Sequence, residues 1–397
     1  MNILRIINPI MLFFIGSLIG ISPYFFGGDY FDMYKSFSIN KEILLVYLIG
    51  FLSFAFGSVM VHLIYKKPAC ESRFIKKDYN IILYSLILIS LVVFTKIIAL
   101  YGSLPILSIL LGDEIIAFVN ETQKDVGGGL YGVFFLMIVS LIILFPYSII
   151  YKNNSKANYF LFWIHFFLLL LYSTYSGKRQ MMFMLFTYTF TYLLIFYNKN
   201  RDYKVLQKIK LVGIVTFSIL VTVFLTVGLI RSNLMNEEVS LIDPIIHYAS
   251  LPFINLTSII SNVDSNQYMY SFNAFYELLL SDLPTFFKSI FISEYKTLNM
   301  PLIEPTSPPT IYGMIFWSFG YMGVFVYLYL VGGFVSYLYL KAVNNKNYIF
   351  ITLYSLTVWP LLSIHTYNHF KNFMFLIIPL SMVVIGTYIY KKILKRE

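Results

Sequence analysis

The feature that most constrains this chain is a series of apolar runs, each about 20 residues long, that recurs from one end to the other. A helix of that length crosses the hydrocarbon core of a bilayer and satisfies its own backbone hydrogen bonds there. Only 12% of the 397 residues are charged, about half the share in a soluble domain. Because so little charge cannot cover a water-facing surface, the chain is predicted to be an all-α polytopic integral membrane protein.

The apolar runs predict about ten transmembrane helices in a single transmembrane domain over residues 1–397. The first run is expected to be a span and not a signal peptide, because bulky residues such as Tyr24 and Phe25 follow it where a cleavage site needs small ones. The predicted spans are 6–26, 43–65, 80–101, 130–150, 158–175, 180–197, 211–230, 313–340, 348–364 and 372–390.

The distribution of charge predicts the orientation of these spans. With a cytoplasmic N-terminus, the inner segments hold nineteen of the 29 lysines and arginines but only four of the 19 carboxylates. This is the asymmetry of the positive-inside rule, so both termini are predicted to be cytoplasmic. The net charge of +10 is explained by orientation, and no nucleic-acid partner is expected.

The longest segment between spans, residues 231–312, is predicted to be an outer loop with structure of its own, because long unstructured loops are unusual. Two periodic apolar stretches, 241–260 and 268–280, predict amphipathic helices lying on the outer membrane surface. Asp243, His247 and Glu304 in this loop are less specific candidates for ligand binding or for a base.

The turn before the sixth predicted span places Lys178 and Arg179 at a helix start. Cations there oppose the helix dipole, so local stability does not explain them, whereas an anion bound between them and the free N–H groups would. Anchoring to lipid headgroups is the alternative. Arg231, at the outward end of the seventh span, is expected at the depth of Arg179, and two arginines at one depth could clamp a pyrophosphate.

The short outer turn between the last two spans contains His365, His369 and Lys371. Histidines at i and i+4 can bind zinc, but the glutamate of an H-E-x-x-H site is missing. The interpretation favoured here is that one histidine is an acid/base group or a phosphate ligand, the alternative being an interfacial pair without a function. His165, in the middle of the fifth span, is predicted to be a structural histidine.

Several segments of the chain resemble the oligosaccharide repeat unit polymerases of bacterial O-antigen and capsule, the Wzy family. The turn at 175–180 resembles the small-Gly-x-Arg helix start of that family, and Arg231 matches its arginine at the start of the long outer loop. Residues 248–256 resemble its loop motif, and 308–313 followed by 319–323 resemble a proline-then-Phe-Gly-x-x-Gly run. The turn with His365 and His369 matches the region that carries a functional histidine in related ligases and polymerases.

The resemblance implies a GT-C-like fold, similar to the lipid-dependent membrane glycosyltransferases, in the bacterial inner membrane. It implies metal-independent transfer of a growing glycan from undecaprenyl pyrophosphate to the next undecaprenyl-linked repeat unit, without a cofactor. The bilayer, the lipid-linked oligosaccharides and a chain-length regulator in the membrane would be its partners. One departure is that the family's spaced Arg-to-Gly pattern is not met after Arg231. The implied catalytic residues are His365, His369, Arg179 and Arg231, and the implied substrate- or pyrophosphate-binding residues are Lys178, Lys371, Tyr312, His247 and Glu304.

Three other functions remain open from the sequence. A lipid-linked oligosaccharide flippase or other transporter would favour buried charges and two pseudo-symmetric halves, neither of which the sequence displays. A dolichol-type, polyprenyl-phosphate-dependent glycosyltransferase would need acidic residues in its first outer loop, where Asp29 and Asp32 occur. A polysaccharide O-acetyltransferase has no convincing motif in this chain.

Overall fold

A computed structural model describes the greater part of the chain, and every regular element within the described ranges is helical. The nine α-helices of those ranges are α1 (Pro9–Phe26), α2 (Glu42–Ile64), α3 (Gly129–Tyr151), α4 (Lys156–Tyr175), α5 (Arg179–Lys199), α6 (Tyr203–Leu234), α7 (Asp243–Ser261), α8 (Ile311–Asn344) and α9 (Tyr348–Leu362). A 3₁₀ turn, Lys152–Asn154, joins α3 to α4. The described residues are 7–26, 41–65, 87–88, 90–92, 95, 129–175, 179–200, 202–234, 243–262, 269–271, 300–302, 309–344, 348–365 and 370.

The prediction of an all-helical membrane protein is confirmed at this level. Five helical stretches are long and apolar enough to cross a membrane, and they lie in α2, α3, α5, α6 and α8. Shorter apolar helices lie in α1, α4, α7 and α9. The third predicted span, 80–101, is described only at a few helical residues between 87 and 95, and the tenth, 372–390, lies outside the described residues. The total of ten spans therefore stays a prediction.

The chain forms two compact units. The first comprises Met1–Cys70, Ile242–Asn345 and Leu356–Ile377, and so contains α1, α2, α7, α8 and the end of α9. The second comprises Glu71–Leu241, Lys346–Ser355 and Ile378–Glu397, and so contains α3 to α6 and the start of α9.

Parallel packing of α2 against α8 forms much of the first unit. The backbone of Phe54 lies against Gly332, and one turn further on Ser336 donates a hydrogen bond of 2.6 Å to Ser58. Small residues at these contacts let the two backbones approach closely, as is common between transmembrane helices. The two contacts, Phe54 with Gly332 and Ser58 with Ser336, have the same register.

The helix α8 doubles back on itself at Gly320. Tyr312 and Leu328 both lie over Gly50 of α2, although sixteen residues of straight helix would separate them by about 24 Å. Gly320, midway between them, has φ 57° and ψ −154°, a conformation that glycine adopts readily. Residues 311–318 are buried throughout, whereas the arm after Gly320 exposes side chains such as Leu330. The helix predicted over 313–340 is therefore two arms that meet at Gly320: residues 311–318, here called the re-entrant arm because the chain reverses after them, and the longer arm after Gly320.

The helix α7 agrees with the helix predicted over 241–260, but its environment differs from the prediction. A helix lying on a membrane surface would leave one face exposed. Instead every residue from 250 to 257 is buried, among them Phe253, Asn255 and Leu256, and the helix packs on α1 and α8. The expectation of a surface helix is wrong for this stretch, because neighbouring helices cover its polar face as well.

The second predicted loop helix, 268–280, lies outside the described residues except for a turn at 269–271. In this turn the N–H of Tyr270 donates a hydrogen bond of 3.0 Å to the carbonyl of Ser318. Tyr270 has a φ of 61°, which is unusual for a residue other than glycine. The turn therefore packs against α8 where the helix reverses, and its Tyr270 N–H satisfies the Ser318 carbonyl two residues before Gly320.

In the second unit, buried side chains satisfy carbonyls near a proline. Pro146 interrupts the hydrogen bonding of α3. His165 Nε2 donates a hydrogen bond of 2.7 Å to the carbonyl of Leu141, and Tyr188 donates one of 3.0 Å to that of Ile143. His165 is fully buried with its ring edge-on to Phe145. These contacts support the structural role predicted for His165.

Candidate functional site

His365 lies in the turn that follows α9, and two backbone contacts hold this turn in place. The imidazole Nδ1 is 3.2 Å from the carbonyl oxygen of Leu362. The neighbouring carbonyl of Ile364 accepts a hydrogen bond of 3.0 Å from the N–H of Ile311, the first residue of α8. The turn is therefore tied to the start of the re-entrant arm.

The contact with Leu362 determines the tautomer of His365. A carbonyl oxygen only accepts, so Nδ1 must carry the proton and Nε2 of the neutral ring keeps its lone pair. Burial lowers the pKa of His365 to about 4, although the backbone hydrogen bond to Leu362 raises it. As a residue, His365 is half-buried. At neutral pH it is a proton acceptor, which favours the role of base over that of a cationic phosphate ligand.

Tyr312, the other candidate of the first unit whose side chain the structure describes, is buried beside two further hydroxyl groups. Its hydroxyl shares a hydrogen bond of 2.9 Å with that of Ser17 in α1. Its ring packs on Tyr47 of α2, with the ring centroids 4.4 Å apart. Tyr47 and His365 in turn both approach Gly20 of α1. Ser17, Tyr47, Tyr312 and His365 thus form a hydroxyl–imidazole cluster, of which sequence analysis had identified Tyr312 and His365.

The hydroxyl–imidazole cluster lies inside the first unit and not at its edge. Tyr312 contacts Gly50, which is eight residues into α2, or about 12 Å along its axis. From the predicted bounds, Tyr312 is expected to be the last residue of the outer loop, immediately before the span at 313–340. The signal that could have revealed Tyr47 and Ser17 is their hydroxyl group within an apolar run, but only the packing of α1, α2 and the re-entrant arm brings them together.

Arg179 and Arg231 belong to the second unit, where the structure describes their backbone only. Arg179 begins α5 and Arg231 lies in the last turn of α6. The two helices are antiparallel, with Phe186 and Phe217 5.9 Å apart between ring centroids. This register carries Arg179 to the level of residue 224, so that the backbone of Arg231 lies seven residues, or about 10 Å, further along. The two arginine backbones are therefore offset along this helix pair, and the common depth of their side chains stays a prediction.

The remaining candidates fall outside what the structure describes. Lys178, Glu304, His369 and Lys371 are not among the described residues, and of His247 only the backbone within α7 is described. Their predicted roles stay predictions. Within the described ranges, no three side chains of His, Cys, Asp or Glu converge as metal ligands would.

Comparisons of the chain with protein-family models, with curated proteins and with solved structures find no match. Functional inference therefore depends on the geometry of the hydroxyl–imidazole cluster and on the sequence motifs. The cluster can bind hydroxylated groups and accept a proton from one of them.

Proposed function

We propose that this protein polymerises lipid-linked oligosaccharide repeat units of the O-antigen or capsule type. In this proposal the growing glycan is transferred from undecaprenyl pyrophosphate to the next undecaprenyl-linked unit at the outer face of the bacterial inner membrane. The observation that carries the proposal is the imidazole of His365, whose Nδ1 is engaged by the Leu362 carbonyl and which approaches Gly20 together with the Tyr47 hydroxyl. The ordered motifs that resemble the Wzy family support the same reaction.

The proposed reaction uses His365 as the base. An acceptor hydroxyl attacks the anomeric carbon of the donor sugar, and its proton passes to Nε2 of His365. The bond from the anomeric carbon to the pyrophosphate oxygen breaks through a transition state that resembles an oxocarbenium ion. Negative charge grows on the leaving pyrophosphate, and cationic side chains are proposed to stabilise it.

The proposed architecture has ten spans, a GT-C-like arrangement and cytoplasmic termini. Eight of the ten predicted spans coincide with described helices to within several residues, which supports the hydropathy interpretation on which the total rests. The re-entrant arm of α8 is a further supporting feature. Non-helical backbone of this kind is tolerated within a membrane protein where protein buries it, as it does around residues 311–318.

Reconstitution tests this proposal. The purified protein in vesicles, supplied with a synthetic undecaprenyl-pyrophosphate-linked repeat unit, is expected to form glycans of two or more repeats and to release one undecaprenyl pyrophosphate per bond formed. The yield should be the same with a chelator, since the proposed stabilising groups are cationic side chains. Movement of the lipid-linked unit across the bilayer without any new glycosidic bond would instead identify a flippase.

A further inference from the structure

We propose that the hydroxyl–imidazole cluster is the binding site for the acceptor sugar, and that Tyr47 is a positioning residue that orients the attacking hydroxyl toward His365. This inference rests on the proposed function, because it assigns one of the two substrates of that reaction to the site. Neither the sequence motifs nor the roles proposed for the arginines involve Tyr47.

The first observation is a buried hydroxyl without a partner. Tyr47 is only 4% exposed, and its hydroxyl has no hydrogen-bond partner among the residues that the structure describes. The hydroxyl of Tyr312, beside it, is satisfied by Ser17. An unsatisfied buried hydroxyl is destabilising, and phenylalanine would fill the same space without that cost. Other buried atoms, such as His165 Nδ1, also lack a partner among the described residues. The position of the Tyr47 hydroxyl near His365 is what points to a ligand there.

The second observation is the close approach of Tyr47 and His365 to the backbone of Gly20. A Cβ atom on Gly20 would stand 2.7 Å from the hydroxyl oxygen of Tyr47 and 2.8 Å from Cβ of His365. The two atoms can therefore be no farther apart than the sum of these distances. At this distance from the Tyr47 hydroxyl oxygen to His365 Cβ, the imidazole ring or one ligand hydroxyl can reach the Tyr47 hydroxyl. Gly20 thus keeps the hydroxyl and the base next to each other.

The third observation is that the cluster is uncharged. Ser17, Tyr47 and Tyr312 contribute hydroxyls, and His365 is neutral at the pH of the cell. A phosphate would need cations around it, whereas a neutral sugar exchanges hydrogen bonds with hydroxyls and an imidazole. The oxygen of the attacking hydroxyl would accept the O–H of Tyr47 and donate its own proton to Nε2 of His365. The contact between the Tyr47 and Tyr312 rings limits the directions in which the Tyr47 hydroxyl can point.

The test is Tyr47→Phe, which removes the hydroxyl and keeps the ring. In the reconstituted assay, kcat/KM for the acceptor should fall by about tenfold, the effect of one lost hydrogen bond to a neutral group, while KM for the donor stays unchanged. The Tm of the variant should be equal to or above that of the unaltered protein, because an unsatisfied buried hydroxyl has been removed.

The matched control is Tyr188→Phe in the second unit, where the hydroxyl donates to the Ile143 carbonyl. This variant should have a lower Tm and an unchanged kcat/KM. If Tyr47→Phe behaves in the same way, its hydroxyl is structural and the inference is overturned, while polymer formation by the unaltered protein keeps the proposed function intact. If the unaltered protein forms no polymer, the proposed function fails. In that case the site is tested by the increase in Tm on adding the free repeat-unit oligosaccharide. An equal increase in the unaltered protein and in Tyr47→Phe overturns the inference that the Tyr47 hydroxyl binds the sugar.

Discussion

At the scale of single residues, what distinguishes His365 is its setting and not its contact to a carbonyl. His62 also places Nδ1 against a backbone carbonyl, that of Ser58, at 2.9 Å. His62, however, is exposed at the end of α2, whereas His365 is half-buried and approaches Gly20 together with Tyr47. The same imidazole hydrogen bond therefore serves local structure at one position and prepares a proton acceptor at the other.

These two histidines provide a matched pair of variants. His365→Ala is expected to lower the polymerisation rate by roughly 10²–10⁴-fold, the usual contribution of a general base, with little change in donor binding. His62→Ala removes an imidazole with the same type of backbone contact and should leave the rate unchanged. Rates of the purified variants with the synthetic repeat unit measure both effects. Equal rates for His365→Ala and the unaltered protein would remove His365 from the mechanism.

The pH dependence of the same reaction separates a base from a phosphate ligand. Because the pKa of His365 is lowered to about 4, the ring is neutral at neutral pH and becomes protonated only as pH falls toward that value. A base acts in its neutral form, so the rate should be level on the acid side of neutrality and fall as pH approaches 4. A rate that rises on acidification, with partial rescue by His365→Lys, would identify a phosphate-binding cation.

Sequence patterns identified His365 and Tyr312 but missed Tyr47 and Ser17. A histidine in a short turn between apolar spans is conspicuous, because ionisable groups are rare there. A tyrosine or serine within a span is common and has many explanations. The relation of Tyr47 to His365 depends on the packing of α1, α2 and the turn after α9, which no local pattern encodes.

At the scale of elements, the reversal of α8 places the start of the re-entrant arm beside the hydroxyl–imidazole cluster. Helix bounds were predictable because length and hydropathy determine them. The reversal was not predictable, since the hydropathy of residues 311–344 is continuous and Gly320 is one of several glycines in the run. The burial of α7 was missed for a related reason, because an amphipathic pattern does not reveal which neighbours cover its polar face.

The role of the reversal can be measured with Gly320→Ala. A side chain at φ 57° and ψ −154° costs on the order of 1–3 kcal/mol, and its Cβ would meet Met269 Cε at 2.8 Å and the Tyr270 hydroxyl at 3.0 Å. Gly333→Ala in the same helix is the control, because its nearest new contact is at 3.5 Å and alanine favours helix there. Thermal unfolding in detergent should show a lower Tm only for Gly320→Ala. Equal Tm values for the two variants would contradict a strained reversal at Gly320.

At the scale of the whole molecule, the proposed reaction requires the acceptor side of the protein to face outward. The concentration of basic residues in the predicted inner segments is the basis for that orientation. Lys41, at the start of α2, and Lys204, at the start of α6, are both exposed and lie on opposite predicted sides. In a Cys70→Ser background, an impermeant thiol reagent should label Lys41→Cys in intact, outer-permeabilised cells and spare Lys204→Cys. The opposite labelling would reverse the topology.

The central claim, that the protein joins repeat units, is tested most directly by the surface-glycan ladder of a cell that lacks it. The predicted result is the loss of every band above one repeat unit, with the single-repeat band retained and the full ladder restored by expression of the unaltered protein. An unchanged ladder would contradict the account. Loss of the single-repeat band as well, with lipid-linked units retained at the inner face, would contradict it in favour of a flippase.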